Sequence, residues 1–286
     1  MSIGCIYALV ALGFVLIYKA TEVVNFAQGE LMMLGAFLAY TFISILGWNY
    51  WAGAAAAIFC MFFIGNFVDR IFLRPVLGQP QFSIVMVTIG FGYMARSGAG
   101  MIPGWGTETY AISTPFSSEG MNLVPESVGS LVISQTDLSV IIATVILCAV
   151  LYAFFTHTRL GIAMQASSQN QLAAYYMGIP VKAVFSMIWG ISAAVAAAAG
   201  ILLAPTTLID TSMGFIGLKA FPAAVLGGFG SIPGAVVGGL IIGIIETLAG
   251  FYLPPGFKNV AAYVVLLVVL VVRPQGLFGQ KTGKRV

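Results

Sequence analysis

The chain has 286 residues, of which 60% are hydrophobic and only 7% charged, with a mean hydropathy of +1.02; a soluble domain carries about 25% charged residues. That composition excludes a water-soluble fold and makes this an integral membrane protein. A formal net charge of +3 is too small to select nucleic acid as a partner, so the placement of each charge matters more than the sum.

Apolar runs able to cross about 30 Å of hydrocarbon fall at 3–18, 30–46, 50–68, 82–102, 138–156, 183–204, 234–250 and 258–272, with a ninth, glycine-rich and interrupted, at 214–230. Barrel strands would alternate over about ten residues, far less than these runs. The reading is an all-α polytopic membrane fold: one transmembrane domain over 1–286, with about 8–9 helices, some broken or re-entrant. The first run begins without a basic region, so no cleavable signal is expected. Cys5, Cys60 and Cys148 are isolated inside such runs, with no CxxC spacing and no nearby histidine. They read as inert thiols, and neither a metal site nor a disulfide framework is expected.

Between the first two runs the chain turns polar: Lys19, Glu22, Asn25, Gln28 and Glu30 cluster around Gly29. A charge at the bilayer centre costs about 2.5–3.5 kcal/mol, so such residues face protein or a water-filled path. Two readings stand. In one, a broken helix opens its backbone onto a translocation route that includes Asn25, Gln28, Glu30 and the distant intramembrane Glu246. In the other, 19–30 is an inner-surface loop whose charges face water. Arg96 and Glu246 read as buried positions that could form a structural pair.

The longest non-spanning stretch, 103–137, carries Glu108, Glu119, Glu126 and Asp137 without a lysine or arginine. Arg70 and Arg74 share one loop, Arg159 and Lys182 flank another, and Lys281, Lys284 and Arg285 close the tail. The positive-inside rule puts loops 69–81 and 157–181 and the C-terminus in the cytoplasm and 103–137 outside. Counting 214–230 as a crossing then places the N-terminus outside. Trp48, Tyr50 and Trp51 at one turn, and Trp105 and Tyr110 at another, suit the outer headgroup level.

The segment from His157 to Lys182 is the main polar interruption between apolar runs. Ser168 with Gln171 three residues on forms a capping-box pattern, and Gly178 before Pro180 forms a helix stop. Leu172, Tyr175 and Tyr176, at i, i+3 and i+4, make a narrow apolar stripe. A stripe that small suits a groove on a partner; the alternative is an ordinary polar connector.

Farther on, Gly230, Gly234 and Gly238 stand four apart, as do Gly239 and Gly243. Small residues at that interval let helix backbones approach closely, and residues 193–200 offer a second smooth face. GGFGSIPG lacks the Lys-Ser/Thr of a phosphate loop. His157 has no partner in a recognised arrangement, so no catalytic residue is expected and transport or conduction is the remaining class.

Three stretches, ALVALGFVLIYKATEVVNFAQGELMMLGAF at 8–37, RLGIAMQASSQNQLAAYYMGIP at 159–180 and LKAFPAAVLGGFGSIPGAVVGGLIIGIIE at 218–246, together resemble the permease subunits of bacterial ABC importers for branched-chain amino acids, nearly over the whole chain. The family usually has histidine at the position of Gln28 and a small residue at that of Lys19. The resemblance implies an inner-membrane importer with two permease subunits, identical or different, two cytoplasmic ABC ATPase subunits and an external substrate-binding protein. ATP would stay on the partners, leaving this chain without a cofactor. Residues 165–178 would be the coupling helix, with Arg159, Gly161, Ala166, Ser168, Asn170, Gln171, Leu172, Ala173, Tyr176 and Gly178 as the ATPase-coupling set. Related permeases for urea and short amides share such motifs. An ion-coupled secondary transporter or a passive channel are the rival classes.

Overall fold

A computed structural model describes residues 1–76, 78–106, 108–117, 119–122, 132–254 and 256–279. The helices in chain order are α1 (Ser2–Thr21), α2 (Gln28–Tyr40), α3 (Tyr50–Val68), α4 (Gln81–Met101), α5 (Gln135–His157), α6 (Arg159–Gln169), α7 (Gln171–Tyr176), α8 (Val181–Thr207), α9 (Gly214–Gly227), α10 (Ile232–Tyr252) and α11 (Phe257–Val272). Single π-helical turns, Thr41–Ile45 and Asp69–Leu73, extend α2 and α3. A short antiparallel pair, β1 (Gly120–Asn122) and β2 (Val132–Ser134), lies before α5. Six of the helices, extensions included, are long and apolar enough to cross a membrane, while α9 and α11 are shorter apolar helices; with α4 the described bundle matches the expected polytopic all-α fold. Glu126, Lys281, Lys284 and Arg285 lie outside the described residues.

The bundle is built around α1, whose residues from Gly4 to Ile17 are all buried. No charge precedes Lys19 in α1, and a helix apolar on every side belongs in an interior. Small residues set its neighbours. Gly4 and Ala8 of α1 meet Gly243 and Gly239 of α10, where an added Cβ on either glycine would strike the α1 backbone. The other glycine row of α10 does the same to α9, with Gly234 against Gly227 and Gly238 against Ala223. On the far side Gly35 of α2 packs on Ala197 and Gly200 of α8 on Met32. Lipid removes most of the hydrophobic drive between helices, so close backbone approach supplies the association. The outer helices α3, α5 and α11 carry exposed Phe59, Phe63, Tyr152 and Val271 as their lipid-facing residues.

Residues 69–76, α6 and α7 share one end of the bundle, where Arg74 donates to the carbonyl of Lys182 at the start of α8 (3.0 Å). The chain after α11 returns to the turn between α9 and α10: Leu277 and Phe278 donate backbone N–H groups to the carbonyls of Leu226 and Gly227 (2.8 and 3.2 Å). The GGFGSIPG cluster is therefore a tight helical turn that receives the C-terminal segment, with Gly228 at φ 94°. At the opposite end Phe116 sits against Tyr50 and Trp51 (ring centroids 6.1 and 6.0 Å), and Trp105 stacks on Phe37 at 5.1 Å. Both aromatic clusters thus mark the same end, as expected for a headgroup boundary.

Two breaks interrupt the helices within the bundle. Glu22, left-handed at φ 57°, ends α1, and the chain runs without helix to Gln28, whose side chain lies against Gly13, midway along α1. From the other end, residues 208–213 follow α8 and place Gly214, the start of α9, against Gly29 and Glu30. Ile209 in this second break is pinned by two backbone hydrogen bonds to Tyr110 (2.9 and 2.8 Å). The starts of α2 and α9 consequently face each other deep in the bundle.

Candidate coupling segment and intramembrane polar network

Thr158 begins the segment by capping α6: its hydroxyl accepts from the N–H of Gly161 (3.0 Å) and donates to the Phe154 carbonyl (2.7 Å). Any Cβ on Gly161 would strike the last turn of α5, so glycine lets α6 fold back tightly. Met164 and Ser167 are buried and Ala166 half-buried, while Gln165 donates to the Phe155 carbonyl (2.8 Å). This helix is held against the bundle, and Arg159 faces out.

The sequence pattern placed the helix start at Ser168, and the structure corrects it. Ser168 is inside α6, where its hydroxyl donates to the Gln165 carbonyl (2.8 Å). The chain breaks at Asn170 (φ −154°, ψ 101°), whose carbonyl oxygen Oδ1 accepts from Ala173 N–H (2.9 Å) and caps α7. Both residues are N-cap formers; the one with extended backbone does the capping. The stop is as expected. Gly178 at φ 83° donates to the Tyr175 carbonyl and Ile179 to that of Ala174 (both 3.0 Å), a Schellman closure.

Helix α7 buries Ala174 and exposes Leu172, Tyr175 and Tyr176 at 64, 67 and 78%. Gln171 ties it to the bundle by donating to the Ala20 carbonyl in the last turn of α1 (3.3 Å). Beside it opens a cleft of about 940 Å³, lined among others by Glu22, Arg70, Arg74, Gln171, Leu172 and Tyr175. One wall is braced by Asp69, 2% exposed, which accepts from Arg74 Nε (3.2 Å) and from the Ser186 hydroxyl (2.5 Å). The guanidinium of Arg74 also donates to Ser186 Oγ (2.6 Å). The sequence reading used Arg70 and Arg74 only for sidedness; an aspartate five residues before an arginine at a helix end is the signal that could have found the brace.

In the bundle interior, Asn25 and Gln28 are fully buried, which overturns the water-facing alternative for this part of 19–30; Glu22 alone of the five is exposed. Irregular backbone at membrane depth must find its hydrogen bonds in protein. Asn25 Oδ1 accepts from Ala27 N–H (3.0 Å), Asn25 Nδ2 donates to Gln28 Oε1 (3.2 Å), and Phe26 N–H donates to Thr88 Oγ1 (3.2 Å). Ser192 of α8 shares its hydroxyl between the Gly13 carbonyl (2.9 Å) and Gln28 Oε1 (3.1 Å).

The two acidic residues have separate partners. Arg96 of α4 donates to Glu30 Oε1 at 2.6 Å. Glu246 accepts from the Tyr7 hydroxyl (2.5 Å) and from Lys219 Nζ (3.2 Å), and Lys219 also donates to Asn259 (2.8 Å). Arg96 and Glu246, which the sequence left able to pair, therefore do not: the start of α2 brings Glu30 to Arg96, while α9 brings Lys219 to Glu246. Lys219, a lone cation in an apolar run, was the unread signal. The structure brings Asn25 and Gln28 together, sets Glu30 close by in sequence on α2, and holds Glu246 in its own network.

Comparison with known proteins adds a third line. Residues 1–272 match the family model described as the permease component of the branched-chain amino acid transport system. The chain is 32% identical over 297 aligned positions, covering 100% of this chain and 95% of the relative, to the high-affinity branched-chain amino acid transport system permease protein LivH of Escherichia coli. It is 30% identical over the same shares to the permease protein BraD of Pseudomonas aeruginosa, named for the same high-affinity system. A probable branched-chain amino acid transport permease of Methanocaldococcus jannaschii is 27% identical over 95% of this chain and 88% of its own length.

Proposed function

Since the chain belongs to the family of branched-chain amino acid transport permease components, we propose that it is the membrane-spanning permease of an ATP-driven importer that carries branched-chain amino acids across a bacterial inner membrane. It forms one transmembrane domain, pairs with a second permease subunit, and receives solute from an external binding protein. Two cytoplasmic ABC ATPases bind and hydrolyse ATP; this chain is not an enzyme and holds no cofactor of its own.

The observation that carries this reading is α7. A six-residue helix capped at both ends, with aromatic side chains turned away from its own bundle, is shaped to be gripped by another protein. Its lever arm is short: Gln171 connects α7 to the last turn of α1, directly before the break at 22–27. Movement of α7 by an ATPase closing on ATP would be passed to that break, where access to the path from either side can switch. We assign ATPase coupling to the set from Arg159 to Gly178 and the path to Asn25, Gln28 and Glu30, with Glu246 at its margin. The cations Arg70, Arg74, Arg159 and Lys182 gather at the α7 end, which supports a cytoplasmic α7 and C-terminus.

An ion-coupled transporter would need an intramembrane carboxylate with no basic side chain beside it to compete with the ion. Here Glu30 is engaged by Arg96 and Glu246 by Tyr7 and Lys219. The test is reconstitution in liposomes: uptake of leucine should require ATP, both ATPases, the second permease and the binding protein. Uptake by this chain alone, or labelling of α7 from the outer face, would overturn the proposal.

A further inference from the structure

The Glu30–Arg96 pair is built unlike the other two ion pairs of the bundle. Asp69 and Glu246 each accept from a second donor on another helix. Glu30, by contrast, engages Arg96 through one oxygen and one nitrogen, and among the described residues its Oε2 accepts no hydrogen bond. Arg96 Nε is buried and has no partner among the described residues. A carboxylate is bound side-on by the Nε–Nη2 edge of a guanidinium; here Glu30 takes only the Nη2 end, through one oxygen, and the Nε end has no acceptor among the described residues. The guanidinium plane is held instead by the ring of Phe215, 3.9 Å from its centroid, a cation–π contact that fixes orientation without using a donor.

Glycine backbone is what lets the pair fit here. A Cβ on Gly214 would come within 3.0 Å of both Arg96 Nη2 and Glu30 Oε1, and one on Gly92 within 3.4 Å of Glu30 Oε2. The helix starts of α2 and α9 both lie at Glu30 and lend it positive potential. Arg96 keeps 18% of its side chain exposed, next to the exposed Phe215 and Tyr93, so the pair can be reached from the bundle surface.

Resting on the amino-acid importer reading, we infer that Arg96 and Glu30 form a transit site for a zwitterion: the α-carboxylate of the solute takes the Nε–Nη2 edge of Arg96 in place of Glu30, and its α-ammonium takes the Glu30 carboxylate so released. A zwitterion crossing the bundle needs one cation and one anion, already desolvated and adjacent. Exchange of a protein–protein ion pair for two protein–solute pairs leaves the net charge of the site at zero and strands no buried charge. A neutral solute such as urea has nothing to trade with this pair, so the site selects amino acids over amides.

The experiment uses the whole importer in proteoliposomes, with R96Q, E30Q, the double variant E30Q/R96Q and R96K, read by complex melting temperature and by leucine uptake. Each single neutral variant strands a buried charge, whereas the double variant does not. A merely structural pair therefore predicts that E30Q/R96Q recovers stability and uptake together. The transit site predicts that the double variant regains its melting temperature while uptake stays down by about 10-fold or more. R96K keeps the charge and loses the side-on edge, so its uptake should also fall in a stable complex; this arm decides the matter should the double variant not assemble. Wild-type uptake in either stable variant overturns the site. Failure of the unmodified importer to take up leucine would instead overturn the function proposed above.

Discussion

The hydroxyl of Ser186 donates to Oδ2 of Asp69 at 2.5 Å, joining the end of α3 to the first turns of α8 across 117 positions. Arg74 binds both partners, so the three side chains close a ring at the wall of the cleft beside α7. Removing Arg74 (R74A) leaves a buried carboxylate without its cation and should lower stability by about 3 kcal/mol. S186A should cost about 1–2 kcal/mol, because Asp69 keeps the guanidinium. Thermal melting of the purified complex gives the order; S186A as harmful as R74A would contradict it.

Capping of α7 by Asn170 makes a local prediction. N170A should cost about 1 kcal/mol and speed hydrogen exchange at Ala173, whose N–H loses its acceptor. S168A removes only a return bond to the Gln165 carbonyl and should stay within about 0.5 kcal/mol. Equal exchange rates at Ala173 in the two variants would return the cap to Ser168.

A173R tests the partner surface. Ala173 is exposed on α7 and its capping bond is made by backbone, so the substitution should change stability by no more than about 0.5 kcal/mol. With α7 seated in a cleft on the ATPase, as proposed, the long side chain would overfill that cleft, and ATP-driven uptake should drop by about 10-fold or more while hydrolysis continues. Normal coupled uptake in this variant counts against α7 as the contact.

Glycine roles separate by location. A Cβ at Gly239 would overlap the backbone of Ala8, and neither helix can yield without opening the α1–α10 seam. G239A should therefore destabilise by about 1–3 kcal/mol. At Gly98 in α4 nothing lies within 4 Å, so G98A should be neutral or stabilising by up to about 1 kcal/mol through helix propensity. Detergent melting curves in which both variants behave alike would show that the seam is not tightly packed.

Several features could be read from the order of residues because their physics is local or one-dimensional. Span length, the arginines and acidic residues on opposite sides, and the four-residue glycine interval all act through helix geometry and bilayer thickness. The glycine rows of α10 were legible as packing faces, and the structure adds only their partners, α1 and α9. At α7 the stripe and the Gly178 stop were legible, but the cap was one turn-former too early. Ser168 and Asn170 have similar capping chemistry, and the choice between them depends on where α6 leaves the bundle, which is set by Gly161 against α5.

By itself the sequence determined that this chain lives in lipid, that its polar segments sort by side, and that a short helix ending at Gly178 interrupts the apolar runs. Those conclusions follow from hydrocarbon excluding unpaired polar groups and from the fixed rise of a helix. Only the tertiary structure decided which charge meets which: Glu30 with Arg96, Glu246 with Lys219 and Tyr7, Asp69 with Arg74 and Ser186. Ion pairs are chosen by distance in space, and the breaks at 22–27 and 208–213 set those distances by bringing the starts of two helices to the same depth.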